Sequence, residues 1–310
     1  MGSALGSLST AGRLWIYQAE RFPLLRHGAL IAIFAASGVS LSAVLAGRPL
    51  PSAMAYLTAF ALCFLLFFQL RVSDEVKDNE DDRRFRPERP VPRGLVSLRL
   101  LVRLALLAVV IEALLALFYF PGLLPILCLV WAWMGLMAVE FFAPVWLKAR
   151  PLLYLGSHML VMPLVDLLVS AVEWLPAAGT PPPGLVPFLI LSFLNGTVLE
   201  LGRKTWAPES ERTGVESYSS LWGPARAGSA WMAAAAAASL LSVYIGVLVR
   251  APIVVGSASL AALILVLASG RRFLAHPTPA AQNGVENAAG VFVLLTYIAT
   301  GILPALARGL

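Results

Sequence analysis

Apolar and polar positions alternate along this 310-residue chain on the scale of whole segments. Predominantly apolar runs, each near the roughly 20 residues a helix needs to cross hydrocarbon, fall at 28–47, 52–72, 95–119, 122–142, 151–173, 184–203, 227–249, 252–270 and 286–307. Between them, Gly47-Arg48-Pro49, Phe120-Pro121-Gly122, Pro181-Pro182-Pro183, Ala251-Pro252 and the 275–285 segment break the pattern. Such breaks leave backbone groups unpaired, which the bilayer core does not tolerate, so they mark loops. The pattern predicts an all-α polytopic membrane protein: nine transmembrane helices in a single integral membrane domain, 1–310. The alanine run 233–238 reads as a close helix-packing surface.

Composition agrees. Hydrophobic residues make up 59% of the chain and charged ones 13%, more apolar surface than a soluble core of this length can hide. Cys63 and Cys128 both lie inside apolar runs without metal-type spacing and are expected as free buried thiols. Residues 1–22 lack the tripartite pattern of a signal peptide, and Leu5-Gly6 replaces the hydroxyl of a myristoylation signal, so no processing is expected. Within 1–27, RLWIYQAERFPLLRHG mixes Trp, Tyr, Phe and Leu with Arg and reads as an interfacial segment on membrane lipid.

The formal net charge is +6. With the N-terminus inside, Arg48, Arg250 and Arg308 fall outside and nearly every other Lys and Arg falls inside, the bias that orients membrane proteins. This expectation puts the N-terminus and two polar loops, 71–94 and 203–223, in the cytoplasm and the C-terminus outside, in the plasma membrane if the cell is bacterial. The positive charge then needs no nucleic acid partner. Nothing in the pattern sets an oligomeric state.

The first polar loop, RVSDEVKDNEDDRRFRPERPVPRG, holds seven of the seventeen carboxylates and seven of the twenty-three basic groups. If the preceding helix runs on, Asp74, Asp78 and Asp82, four apart, are each rotated only about 40° from the last and share one stripe. Three such carboxylates repel unless a cation sits among them, and hard oxygen donors suit Mg²⁺. Downstream, Arg83, Arg84, Arg86, Arg89 and Arg93 offer forks matched to phosphate oxygens, on a backbone stiffened by Pro87, Pro90 and Pro92. A diphosphate satisfies both halves. On composition alone, a solvated loop with self-neutralising charge fits equally well.

DEVKDNEDDRRFRPERPVPRG also resembles the first signature of the UbiA superfamily of intramembrane prenyltransferases, an acidic DxxxD element followed by an R-P-x-P-x-G turn. Anchored on Arg89, Pro90, Pro92 and Gly94, the resemblance puts Asp78 and Asp82 on the family's metal-binding aspartates and Asp74 where many members carry Asn. FAPVWLKARPLL (142–153) is similar to a further family segment, keeping Lys148 but carrying Phe142 and Ala143 for its Tyr and Ser. In the second signature, typically E-x-x-K-D-x-x-D, Glu200 and Arg203 match the Glu and Lys. Lys204 stands in place of the first Asp. The remaining acids are Glu209, Glu211 and Glu216, after Pro208. The departure implies fewer Mg²⁺ ions, or Glu209 or Glu211 recruited from a reshaped loop.

The resemblance implies a UbiA-type helical bundle with polar cap loops on the cytoplasmic side, Mg²⁺ as cofactor, and a prenyl diphosphate and a lipophilic acceptor as partners. Asp74, Asp78, Asp82 and Glu209 are the expected metal ligands. Arg89, Lys148, Arg203 and Lys204 are expected on the diphosphate, and Asp78, Asp82, Lys148, Glu200 and Asp166 in catalysis. Phe64, Phe67, Phe68, Trp131, Trp133 and Tyr154 are candidates to line the cavity around an allylic cation. Among ionisable groups in or near spans, a carboxylate costs about 2.5 to 3.5 kcal/mol to insert, so Glu112, Glu140, Asp166 and Glu200 should face the bundle interior or water. Asp166 is weighed equally as a structural interhelical bond; His158 reads first as a hydrogen-bonded packing residue. Three functions remain open: prenyl transfer to a lipophilic or aromatic acceptor, UbiA-type cyclisation of the donor without an acceptor, and non-catalytic isoprenoid binding or transport.

Overall fold

The structure is a computed structural model and describes residues 9–307. Residues 1–8 of the expected interfacial segment, and Arg308, lie outside them. Helix α1 (Thr10–Arg21) precedes the first long helix, α2 (Leu24–Leu45). Helix α3 (Ala53–Lys77) leads into the short α4 (Asn79–Phe85), then α5 (Leu98–Tyr119) and α6 (Leu124–Ala138). Short α7 (Pro144–Lys148) and α8 (Pro151–Met159) precede α9 (Val161–Ala178) and α10 (Leu185–Arg203). The chain closes with α11 (Tyr218–Trp222), α12 (Pro224–Leu248), α13 (Pro252–Ala275), α14 (Pro279–Tyr297), a π-helical stretch Ile298–Ile302 and α15 (Leu303–Ala307). Among the described residues, nine helical segments are long and apolar enough to cross a membrane, and no strand occurs.

Local chemistry starts these helices where the polar punctuation falls. Ser52, Ser97 and Thr278 accept N–H bonds from Ala55, Leu100 and Ala281 as N-caps. Pro144, Pro151, Pro224, Pro252 and Pro279 occupy first turns, where a missing N–H costs nothing. Large apolar side chains such as Phe118, Leu240 and Ile253 stay exposed at 82%, 75% and 84%. Lipid, not water, is the solvent for such a surface. Cys63 is a buried free thiol as expected, whereas Cys128 is exposed on the outer face of α6. Ala235 and Ala238 are fully buried on α12.

Because the long helices run up and down in turn, the segments 78–97, 139–150 and 204–223 lie at one end of the bundle together with α1. Helix α1 is held there by Arg21 on Glu75 at 2.6 Å and by Arg93 on Glu20 at 2.7 Å. At the opposite end, Arg48 donates Nε and Nη2 to the two oxygens of Glu173 at 2.6 and 2.8 Å, and Ser42 donates to the same carboxylate. Midway, Gln69 and Trp131 donate to Glu112 at 2.7 and 2.9 Å, joining α3, α5 and α6. Tyr297 donates to Asp166 at 2.7 Å and contacts Ser192 at 3.2 Å, joining α14, α9 and α10. As insertion cost requires, Glu112, Glu140 and Asp166 are all buried in the bundle.

Candidate functional site

The loop-bearing end gathers the charge. Helix α3 continues past the apolar run, carrying Arg71, Asp74 and Lys77 on its last turns. It kinks at Asp78, whose φ and ψ are −87° and 3°, before α4 begins. The kink undoes the single three-aspartate stripe. Asp82 turns inward, 2% exposed, where Arg89 Nη1 donates to both its oxygens at 2.9 and 2.6 Å and Arg86 to one at 3.1 Å. The side chain of Asp74 is half-exposed beside Arg71 at 3.4 Å. Burial holds the Asp78 carboxyl above the usual carboxylate range, and the charges of Asp74 and Asp82 push it further. Gly94 then takes φ +78°, a left-handed value that favours glycine, as the backbone doubles back through Gly94 N–H to Val91 O and Leu95 N–H to Pro90 O.

The second polar loop starts as α10 ends. Glu200 accepts Arg203 Nη2 at 2.7 Å and Lys204 Nζ at 2.9 Å. The chain beyond folds back on itself: Tyr218 N–H bonds Lys204 O, Trp206 N–H bonds Ser219 Oγ and Ala207 N–H bonds Gln282 Oε1. Glu209 is exposed on the Pro208–Ser210 turn. Glu211 accepts the Ser217 hydroxyl at 2.5 Å. Burial, and then the Glu200 charge, holds the Tyr218 phenol up. The two loops meet through Phe85 against Gly214 and Arg212 with Glu88 at 4.0 Å. Asp74 acts electrostatically on both Arg71 and Arg203, so the two signature segments share one field.

A third group completes this end: Tyr154 is expected along the cavity and Glu140 facing inward, but Lys77 and the joining of these residues with His158 are not. Lys77 Nζ reaches Glu140 at 2.8 Å and the Tyr154 hydroxyl at 2.5 Å, and Tyr154 donates to Glu140 at 3.1 Å. His158 stacks on Tyr154 with ring centroids 4.0 Å apart and points Nε2 at Lys77 and Glu140, 3.5 Å from each. Glu140, Phe141 and Phe142 all take positive φ, 49°, 53° and 59°. Three successive non-glycine residues there store strain of the kind concentrated at functional sites. A small cavity of about 20 Å³, lined by Ser73, Asp74, Lys77, Met134, Met137 and His158, connects the group to Asp74. Helical continuation past residue 72 was the available signal, since it puts Lys77 one turn from Asp74. The pairing with Glu140 spans 63 residues and leaves no periodic trace.

Other expected residues sit apart. Lys148 is exposed at the end of α7 and joins none of these ion pairs. Asp166 lies eight residues beyond His158, about two turns deeper, within the Tyr297 and Ser192 bonds.

The donor set fits a divalent cation only in part. Asp74 and Asp78 are near-neighbour carboxylates without a tight cationic partner, oxygen donors of the kind Mg²⁺ takes together with phosphate and water. Asp82 and Glu200 are satisfied by guanidinium and ammonium groups. Among the described residues no group of three His, Cys, Asp or Glu side chains comes close enough to form a metal centre by itself.

Residues 29–285 match the UbiA prenyltransferase family. A solved apo structure of a UbiA homolog from Aeropyrum pernix K1 superposes with a TM-score of 0.68 at 16% identity, covering 90% of this chain and 98% of that one. A structure from work on digeranylgeranylglyceryl phosphate synthase in membranes gives 0.62 at 16% identity, covering 93% and 98%. At that identity the likeness is one of fold. No curated protein matches the chain.

Proposed function

The chain belongs to the UbiA prenyltransferase family, and we propose that it transfers a prenyl group from a prenyl diphosphate to a lipophilic or aromatic acceptor within the membrane, with Mg²⁺. The observation that carries this reading is that Asp74, beside Asp78 and Arg71, acts electrostatically on Arg203, which Glu200 holds together with Lys204 at the mouth of an apolar bundle.

Asp74 and Asp78 would hold Mg²⁺, which when bound neutralises charge developing on the diphosphate as its bond to the prenyl carbon breaks. Asp82 holds Arg89 through Nη1, which leaves its other N–H donors to bond diphosphate oxygens. Lys204 stands where the family signature has an acid, so in this chain an ammonium approaches the diphosphate directly and one metal position is replaced by a cation of the protein. Glu200 fixes Arg203 and Lys204 against each other. The prenyl chain runs down between helices, beside half-buried Phe60, Phe64, Phe67 and Trp131 packed on the core, whose ring faces shield an allylic cation from water. Glu209 and Lys148 serve on the rim, where diphosphate first arrives. The basic bias of the loop-bearing end supports a cytoplasmic orientation for it.

The test is incubation of purified protein with Mg²⁺ and prenyl diphosphates of several lengths, with and without a lipid extract. Diphosphate release that needs the extract and yields a prenylated product is expected. Release without extract giving a cyclic hydrocarbon or alcohol would make the protein a cyclase. Binding without release beyond that of Asp78→Ala would make it a non-catalytic isoprenoid carrier.

A further inference from the structure

A second basic cavity lies outside the mouth, behind the first signature loop. A cavity of about 680 Å³ opens between α1 and the start of α5, lined by Thr10, Val91, the 94–100 segment and three arginines, Arg13, Arg83 and Arg99. Among the described residues no carboxylate lines it. Its floor is apolar, with Leu95 and Val96 buried beneath it, and its wall includes Leu98 and Leu100 at the head of a membrane-crossing helix. The first-turn N–H groups of that 22-residue helix add to the positive field.

The cavity is a formed feature, since Arg21–Glu75 and Arg93–Glu20 clamp α1 against the loop. Its depth is set by neighbours. Trp15 on α1 and Leu25 at the start of α2 are 68% and 92% exposed, apolar surface that belongs in the boundary between headgroups and acyl chains. A cavity at that depth lined by three arginines, with apolar walls leading into the bilayer, complements a lipid phosphate and its glycerol. It is also far roomier than a bare phosphate requires.

We propose that Arg13, Arg83 and Arg99 form a binding site for the headgroup of one anionic glycerophospholipid. Arg83 sits on α4, next to Asp82, so the bound lipid would tie the first signature loop to the membrane surface independently of prenyl substrate. The site does not depend on the enzymatic reading.

Delipidated full-length protein in non-ionic detergent, titrated with phosphatidylglycerol or with phosphatidylcholine of the same acyl chains and followed by native mass spectrometry, tests this. The first phosphatidylglycerol should bind more tightly than phosphatidylcholine. Each arginine removed should weaken it by roughly fivefold, so that Arg13→Gln/Arg83→Gln/Arg99→Gln loses the preference. Arg99→Gln alone, at an exposed position, should lose part of it with an unchanged melting temperature. Arg271→Gln/Arg272→Gln, removing two exposed charges elsewhere at the same end, should keep it. Equal binding of the two lipids by the wild type would overturn the proposal, as would an equal loss in the Arg271/Arg272 control. Displacement of the lipid by equimolar inorganic phosphate would reduce the site to one for free anions and overturn its lipid assignment.

Discussion

The ring of Phe85 lies so close over Gly214 that a β-carbon at 214 would overlap it, and Gly214 itself takes φ +76°. One glycine thus lets the two signature loops touch across the mouth. Gly214→Ala adds both a clash and a left-handed strain of about 1–2 kcal/mol, confined to a surface contact. The expected result is faster proteolysis between 203 and 217 with a melting temperature close to that of the wild type. Unchanged proteolysis would mean that Phe85 yields without releasing the loop.

Lys204 and Glu200 make opposite predictions about diphosphate affinity. Lys204→Ala removes one charge-assisted contact and should weaken inorganic diphosphate binding about tenfold in titration calorimetry with Mg²⁺ present. Glu200→Gln removes the carboxylate that screens Arg203 and Lys204 and should tighten it. Equal weakening in both would show that Glu200 matters for orienting the cations more than for screening them.

Asp78 gives a pH signature. Its pKa is raised by burial and by Asp74, so without a cation its ionised form works against the folded arrangement above that pKa, and stability is gained as protonation occurs on acidification. Mg²⁺ binding needs the carboxylate ionised, so the sign reverses for the cation's effect. The rise in melting temperature on adding Mg²⁺ should be full at neutral pH. It should fade on acidification before the pH reaches the ordinary aspartate value of about 3.9. Asp78→Asn should abolish the Mg²⁺ effect at every pH.

Asp166 is expected to hold helices together. Asp166→Ala removes the acceptor of a fully buried Tyr297 hydroxyl, at a cost of about 1 kcal/mol, visible as a lower melting temperature in detergent. Diphosphate release by the folded fraction should persist. Loss of release in the milder Asp166→Asn, with stability retained, would return this residue to the chemistry.

Arg48 has a larger structural effect. Arg48→Met leaves Glu173, 5% exposed in its side chain, as an unpaired charge. A penalty of about 3 kcal/mol follows. Replacing both partners, as in Arg48→Met/Glu173→Met, should recover most of it, and failure to do so would assign the stabilisation to the Ser42 bond.

Helix number and placement were legible because hydrocarbon demands about 20 apolar residues per crossing. The spans at 151–173 and 286–307 were nonetheless short: the structure extends them to Pro151–Ala178, with a break near Leu160, and Pro279–Ala307, with its π-helical stretch. Polar residues near helix ends, such as Gln282 and Glu286, hide continuation from a hydropathy reading. The expectation that Asp74 and Asp78 lie together was legible in their spacing of four. The inward turn of Asp82 was not, because it depends on the kink at Asp78 and on where Arg89 returns after Pro87 and Pro90. The Lys77–Glu140–Tyr154–His158 group and the Arg48–Glu173 pair join residues separated by up to 125 positions. Only tertiary packing brings such partners together.

The two ends of the bundle differ mechanically. One is riveted by Arg48, Glu173 and Ser42, while the other is closed by loops that touch through a glycine and a 4.0 Å ion pair. The contact between the two signature loops is the weakest of these closures, although Arg21–Glu75 and Lys77–Glu140 hold the helices beneath it, so loosening is expected to begin between the loops. A bundle fastened this way is expected to open toward one leaflet only, the one that its signature loops face.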